Sequence, residues 1–98
     1  MTDDKVDVLN VNVPDHRARV RRDKYEAMRD ALVAVLPTDP PGVSVRKVLD
    51  QLKPDLPQDL FPDGKTSGWW QKTVQLDLEA RGQIRRTPGR PLKIYKVQ

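Results

Sequence analysis

Residues 66–82 constrain the fold more than any other part of the chain, because they read as one amphipathic helix closed by a glycine. At about 100° per residue, apolar side chains cover roughly half of the helix circumference. The apolar half comprises Trp69, Thr73, Leu76 and Ala80, widened by Trp70, Val74 and Leu78. The polar half comprises Lys65, Gly68, Gln71, Lys72, Gln75 and Glu79. The pattern predicts helix 3 over about residues 66–81, beginning at Thr66 or Ser67 and ending at Gly82.

The letters Gly-Lys-Thr at residues 64–66 match the end of a phosphate-binding loop. That loop requires a glycine five residues before its Gly-Lys pair and a buried strand leading into it. Here the required position is Asp59, and the preceding segment is an acidic loop interrupted by prolines. We therefore expect no nucleotide site and no cofactor.

Two further helices precede this segment. Apolar residues from Tyr25 onward recur at spacings of three and four, which predicts helix 1 over about residues 24–36. Asp23 and Glu26 form a capping-box pattern at its start. Helix 2 is predicted over about residues 45–53, capped by Ser44 and stopped by Pro54. The segment after it contains several prolines, and Leu56, Leu60 and Phe61 are its predicted anchors.

Alternating segments at both ends of the chain predict two hairpins. Residues 6–13 and 17–21 alternate around a Pro-Asp-His turn, so Arg17, Arg19 and Arg21 should share one face. At the other end, residues 83–97 form two short alternating runs around Pro88-Gly89. Two strands alone are marginal in water, so the N-terminal hairpin should pack on the helices or on a second copy of the chain.

The charge of the chain is segregated. The formal net charge is +4, and residues 80–98 contain six cations and no acid. Those cations are Arg81, Arg85, Arg86, Arg90, Lys93 and Lys96. Such a distribution is typical of a nucleic-acid footprint and also of a solvated basic surface.

Catalytic and membrane signals are lacking in the sequence. Cysteine is absent, the single histidine, His16, lies in a turn, and Ser44 and Ser67 read as helix caps. Asp55, Asp59 and Asp63 recur every four residues, but the intervening prolines deny them a common helical face, so we expect no metal site. No apolar run approaches the roughly 18 residues of a membrane span. We expect a cytoplasmic protein that is not an enzyme and has no membrane partner.

Asp77 is the exception on helix 3, because it points into the apolar half. A buried carboxylate requires a partner, and Arg81 and Arg85 are the candidates.

Three helices followed by a hairpin resemble a winged helix-turn-helix domain. The run LDLEARGQIRR, residues 76–86, is similar to the end of the recognition helix in many bacterial winged-helix regulators. Its matching positions are Leu78, Glu79, the helix-ending Gly82 and Ile84, which opens the wing. The run GWWQKTVQLDLEARG, with VLN and KYEAMRDAL upstream, also resembles a small bacterial family of uncharacterised domains. The likeness predicts an α+β fold: an N-terminal β-hairpin extension at 1–22 and a winged-helix domain at 23–98, with its wing at about 83–97.

The resemblance implies a DNA-binding, transcriptional-regulator-like protein with double-stranded DNA as its partner. Gln71 and Gln75 are the candidates for base edges, because long amides reach them in the major groove. The candidates for phosphate or minor-groove contact are Lys65, Lys72, Arg85, Arg86, Arg90 and Lys93. The alternative is a winged-helix protein-interaction or dimerisation module without a DNA partner, since fold does not determine function. In either case the N-terminal hairpin is the candidate surface for a homodimer.

Overall fold

The three periodic segments form three α-helices, joined by two small antiparallel sheets in an α+β fold. The structure is a computed structural model that describes residues 4–97. Its helices are α1 (Arg22–Val35), α2 (Val45–Leu52) and α3 (Ser67–Ala80). Its strands are β1 (Lys5–Leu9), β2 (Arg17–Arg21), β3 (Val43–Ser44), β4 (Ile84–Thr87) and β5 (Lys93–Lys96). Residues 1–3 and 98, the ends of the predicted domain division, lie outside the described residues.

The N-terminal hairpin consists of β1 and β2 in a register that pairs Lys5 with Arg21 and Leu9 with Arg17. The predicted alternation on β2 is confirmed, because its arginines are exposed whereas Ala18 and Val20 are partly buried. The apolar side of this hairpin packs against the helices, where Val8 is buried in the common core. The hairpin is therefore part of the packed structure.

The second sheet has the strand order β3-β5-β4, with both pairs antiparallel. Strands β4 and β5 form the C-terminal hairpin. The two-residue strand β3, which comes just before α2, pairs with the other edge of β5. Gly42, which precedes β3, has φ +87°, and a Cβ there would lie 2.1 Å from the Ile94 carbonyl oxygen. Only glycine allows this close approach of the two strands.

The core is formed by the inward faces of all three helices and of both hairpins. Its fully buried side chains include Met28, Leu32, Val48, Leu52, Phe61, Val74, Leu78, Ile84 and Ile94. The proline-containing link between α2 and α3 forms two short 3₁₀ turns, Lys53–Asp55 and Pro62–Gly64. Leu56 and Phe61 are buried and anchor this link as predicted, while Leu60 is only partly buried.

Helix ends follow the sequence at two of the predicted positions. The Ser44 hydroxyl accepts the Lys47 N–H at 3.3 Å, which confirms the predicted cap of α2. At the end of α3, Gly82 has φ +78°, and the Gln83 N–H reaches the Leu78 carbonyl at 2.9 Å. This is the Schellman arrangement that glycine favours.

The predicted cap of α1 is wrong. The helix begins at Arg22, so Asp23 lies inside its first turn, and the N-cap residue Arg21 makes no capping hydrogen bond with its side chain. The Asp23 carboxylate instead accepts the Lys24 N–H and pairs with Arg21. Since β2 runs directly into α1, the chain leaves no separate residue to act as a cap.

No helix within residues 4–97 combines the length and apolar content that crossing a membrane requires. In the same range, no three His, Cys, Asp or Glu side chains are grouped so as to hold a metal ion.

A basic cleft as the candidate functional site

A concave cleft of about 600 Å³ lies between the first half of α2, the outer side of α3 and the C-terminal hairpin. Its apolar lining comprises Val45, Leu49, Leu76, Pro91 and Leu92. Its polar lining comprises Asn12, Ser44, Gln71 and Gln75, and Gly68 of α3 also lines it. The cleft thus has a mainly apolar interior, and its amide and hydroxyl groups come from the turn of the N-terminal hairpin, from β3 and from α3.

Among residues 4–97, three cations and no carboxylate complete the lining of this cleft: Arg46, Lys72 and Arg86. Arg46 and Lys72 are exposed, and neither takes part in an ion pair within residues 4–97. Uncompensated cations around a concave surface attract anionic partners, because the surrounding low-dielectric walls concentrate their field.

The third cation of the cleft, Arg86, is already paired. Its Nη2 donates to Glu79 Oε2 at 2.8 Å, and the Glu79 side chain is only 4% exposed. This hydrogen bond raises the pKa of Arg86 above its ordinary value. The same Glu79 oxygen accepts from Gln75 Nε2 at 3.2 Å. Arg86 therefore satisfies a buried carboxylate, and the free charge of the cleft is carried by Arg46 and Lys72.

The prediction that Gln71 and Gln75 present an exposed polar surface is wrong. They are 2% and 4% exposed, and Ser67 in the same row is also buried. Gln71 Nε2 donates to the Val45 carbonyl at 3.3 Å, so its amide joins α3 to the start of α2. Burial is tolerated because each amide nitrogen has a hydrogen-bond partner, and the depth of these side chains argues against contact with the base edges of a duplex.

Trp69 was predicted to lie on the apolar face, and this is also wrong, because it is 58% exposed. The buried side of α3 follows Trp70, Val74 and Leu78 instead. The Trp69 ring packs edge-on against Trp70, with ring centroids 5.1 Å apart. With Thr73 and Leu76 it lines a shallow groove between α3 and the N-terminal hairpin.

The other predicted basic candidates are dispersed. Arg85 and Arg86 are adjacent on β4, so they project to opposite faces, and Arg85 lines a separate groove with Asp39 and Tyr95. Lys65 is exposed just before α3 and Arg90 is exposed in the β4–β5 loop, while Lys93 at the start of β5 is partly buried.

Sequence reasoning missed Arg46. The feature that could have indicated Arg46 is its position in the first turn of the predicted helix 2, two residues after the capping Ser44. That turn lies at the cleft because β3, which precedes it, is held against β5.

Asp77 forms a separate, buried cluster on the far side of α3. It is fully buried, and its carboxylate accepts Arg81 Nε at 2.9 and 3.0 Å, which confirms Arg81 as the partner. It also accepts the Leu9 N–H at 2.8 Å and the Tyr25 hydroxyl. Burial, followed by the hydrogen bond to Asp77, raises the pKa of Tyr25 to about 12. With every side chain partnered, the cluster is a structural junction between the hairpin, α1 and α3.

A family model matches residues 5–94, from β1 to the middle of β5. The chain belongs to the family of unknown function DUF6958. The match includes the N-terminal hairpin, so the hairpin and the cleft both lie in the region that DUF6958 describes. No curated protein and no solved structure matches the chain.

Proposed function

We propose that this DUF6958 domain is a winged-helix domain that binds double-stranded DNA, with no catalytic activity. The order of its elements supports the winged-helix interpretation: three helices are followed by the β4–β5 hairpin, which corresponds to the wing. The N-terminal hairpin is an addition to that plan.

One observation carries the proposal: in the part of the chain that the structure describes, the cleft between α2, α3 and the C-terminal hairpin is lined by Arg46, Lys72 and Arg86 and by no carboxylate. Phosphate contacts dominate the affinity of proteins for DNA, and they come mainly from arginine, lysine and helix N-termini. The first turn of α2, with Arg46 on it, opens onto the same face. These features support a phosphate-binding surface.

In the proposed complex, Arg46 and Lys72 contact phosphates on either side of the cleft, while Arg90 reaches out from the β4–β5 loop. Because Gln71 and Gln75 are buried, base-edge contacts fall to exposed residues of α3 near Trp69. Trp69 can meet thymine methyl groups by apolar contact. Arg85 projects from the opposite face and has no part in the complex.

The test is the salt dependence of duplex binding by the full chain, measured by fluorescence anisotropy. Log affinity should fall linearly with log salt, with a slope of about −0.9 for each phosphate contacted. Arg46→Ala and Lys72→Ala should each reduce the magnitude of that slope by about 1. Arg85→Ala removes the same charge from the other face and is the matched control, so it should leave the slope unchanged.

Two results would refute the proposal. One is an equal loss of slope in the Arg85 variant and the two cleft variants. The other is the absence of duplex binding tighter than the non-specific range of about 10⁻⁴–10⁻⁶ M after selection from random sequences.

A second candidate function, protein interaction or homodimerisation, is favoured by one specific observation. Trp69 is 58% exposed, and Val11 and Val13 at the turn of the N-terminal hairpin are 38% and 50% exposed. Exposed tryptophan is characteristic of protein interfaces, where it often supplies much of the binding energy. Sedimentation velocity over a concentration series would detect self-association. Trp69→Ser should then abolish it if this surface forms the dimer.

A further inference from the structure

The apolar interior of the cleft has no role in binding phosphates. Five apolar side chains line it, and its volume of about 600 Å³ lies within the range of about 300–1,000 Å³ that is usual for small-molecule sites. We propose that this cleft binds a small organic carboxylate with an apolar body and a hydrogen-bond donor.

The cations of the cleft are the reason for proposing a carboxylate on the ligand. Arg86 already pairs with Glu79, so an incoming anion meets Arg46 on α2 and Lys72 on α3, neither of which has an ion-pair partner within residues 4–97. Hydrogen bonds between ionised partners are roughly twice as strong as those between neutral groups. Both cations line the same cleft, so a carboxylate bound there is attracted by both charges, whereas a neutral or cationic ligand would leave them uncompensated.

Two buried side-chain amides are the reason for proposing a hydrogen-bond donor on the ligand. Gln71 and Gln75 are both more than nine-tenths buried, and both line the cleft. Each uses its amide nitrogen in a bond to the protein, Gln71 to Val45 and Gln75 to Glu79. No residue among 4–97 donates to either amide oxygen. These oxygens are therefore acceptors for an N–H or O–H on the ligand, next to the apolar contacts of Leu49 and Leu76.

Ligand binding and the proposed DNA contact share Arg46 and Lys72. A bound carboxylate would neutralise both cations and should displace a duplex, which would make the cleft a regulatory site. This last consequence rests on the proposed function, whereas ligand binding itself does not.

The probe is indole-3-acetate, which combines a carboxylate, an aromatic body and an N–H donor. Titrated into the ¹⁵N-labelled full chain, it should give saturable shifts of the side-chain amides of Gln71 and Gln75. Neutral indole-3-acetamide, which has nearly the same shape, should bind about 10-fold more weakly, the difference that one charge-assisted contact of about 1.4 kcal/mol makes. Naphthalene-1-acetate lacks the N–H and should also bind more weakly than the indole.

Variants locate the site. Arg46→Gln and Lys72→Gln should each weaken indole-3-acetate binding about 10-fold, whereas Arg85→Gln, with the same charge change, should not. Dispersed amide spectra of all three variants establish that they are folded. The proposal is overturned if indole-3-acetamide binds as tightly as the acid. It is also overturned if shifts do not saturate, or centre on Trp69 and the N-terminal hairpin.

Failure of the two proposals can be told apart, because this titration contains no DNA. Saturable binding in the cleft together with no duplex binding would support the ligand site and refute DNA binding. Duplex binding together with no saturable shifts would do the reverse. Release of a bound duplex by indole-3-acetate, but not by its amide, would support both.

Discussion

The Asp77 carboxylate accepts the backbone N–H of Leu9 at 2.8 Å, joining residues 68 positions apart in the sequence. Arg81, which pairs with the same carboxylate, donates from Nη2 to the Asp7 carbonyl at 3.1 Å. The end of α3 thus holds β1 at two backbone positions. Since an isolated hairpin is marginal in water, these bonds, with the burial of Val8, make the N-terminal hairpin part of one cooperative unit.

Asp77→Ala should lower the free energy of unfolding by about 2–5 kcal/mol, because it leaves the Tyr25 hydroxyl and the Leu9 N–H without their common acceptor inside the protein. The Arg81 side chain is 40% exposed, so its guanidinium can turn to water. Urea denaturation measures this loss, and hydrogen exchange of the Leu9 amide should accelerate under native conditions. Asp7→Ala is the control, because the Asp7 side chain is 59% exposed and pairs with Arg19 at the surface. A parent-like urea midpoint for Asp77→Ala would show that the hairpin is held by packing alone.

Stability should fall between pH 10 and 12 through ionisation of Tyr25. Its pKa is raised from 10.0 to about 12 in the folded chain, so the folded state favours the neutral phenol. The resulting stabilisation is fully present below pH 10, where both states are protonated, and is lost as the pH approaches 12. Two pKa units correspond to about 2–3 kcal/mol.

Tyr25→Phe is the control for this pH dependence. It removes the titrating hydroxyl and keeps the ring, so its stability curve should be flatter than that of the parent between pH 10 and 12. Urea denaturation at a series of pH values compares the two proteins. If the stability curves of the parent and of Tyr25→Phe are parallel over that interval, the Tyr25 phenol has the same pKa in the folded and unfolded states, which contradicts the prediction.

The two adjacent tryptophans should respond very differently to truncation. Trp70 is 8% exposed, and its ring packs edge-on to Phe61 with centroids 6.4 Å apart. Trp70→Ala should cost about 3–5 kcal/mol of stability, as is usual for a buried aromatic. Trp69→Ala should cost about 0.5–1.5 kcal/mol, the value of an aromatic pair without burial. Thermal melts of both variants test this, and equal melting temperatures would contradict the orientation of α3.

Neighbouring arginines on β4 provide a similar comparison. Arg86→Ala should destabilise the chain by about 1–3 kcal/mol, because Glu79 is left buried without its charged partner. Arg85→Ala should change stability by less than about 0.5 kcal/mol, since its side chain is on the exposed face. The double variant Glu79→Gln/Arg86→Ala should recover part of the loss. An unrecovered loss would indicate that Arg86 acts through packing of its stem.

Much of the fold could be predicted from the sequence because it depends on local patterns. Helical periodicity, the Ser44 cap, the terminating Gly82 and the alternation of β2 are each specified within a few residues. The β3 strand could not be predicted, because two residues carry no periodicity and its pairing depends on β5, some 50 positions later.

The sequence did not predict which face of α3 is buried, and this had the largest effect on the predicted site. Gln71 and Gln75 read as part of a solvent-exposed face, yet both are buried, and their amide nitrogens donate to the Val45 carbonyl and to Glu79. The pattern of one helix does not reveal which side a neighbouring helix will cover. The same tertiary information was needed to find Arg46, whose importance comes only from its position at the cleft.

The contact between Gly42 and Ile94 has a consequence for the aperture of the cleft. Strand β3 runs directly into the helix that carries Arg46, while the chain entering β5 contributes Pro91 and Leu92 to the opposite wall. The Val45 N–H also bonds to the Leu92 carbonyl at 3.0 Å, which joins the two walls at their base. Any side chain at position 42 would wedge these walls apart. Gly42 therefore sets the width of the cleft, although it does not line the cleft and no ligand bound there would touch it.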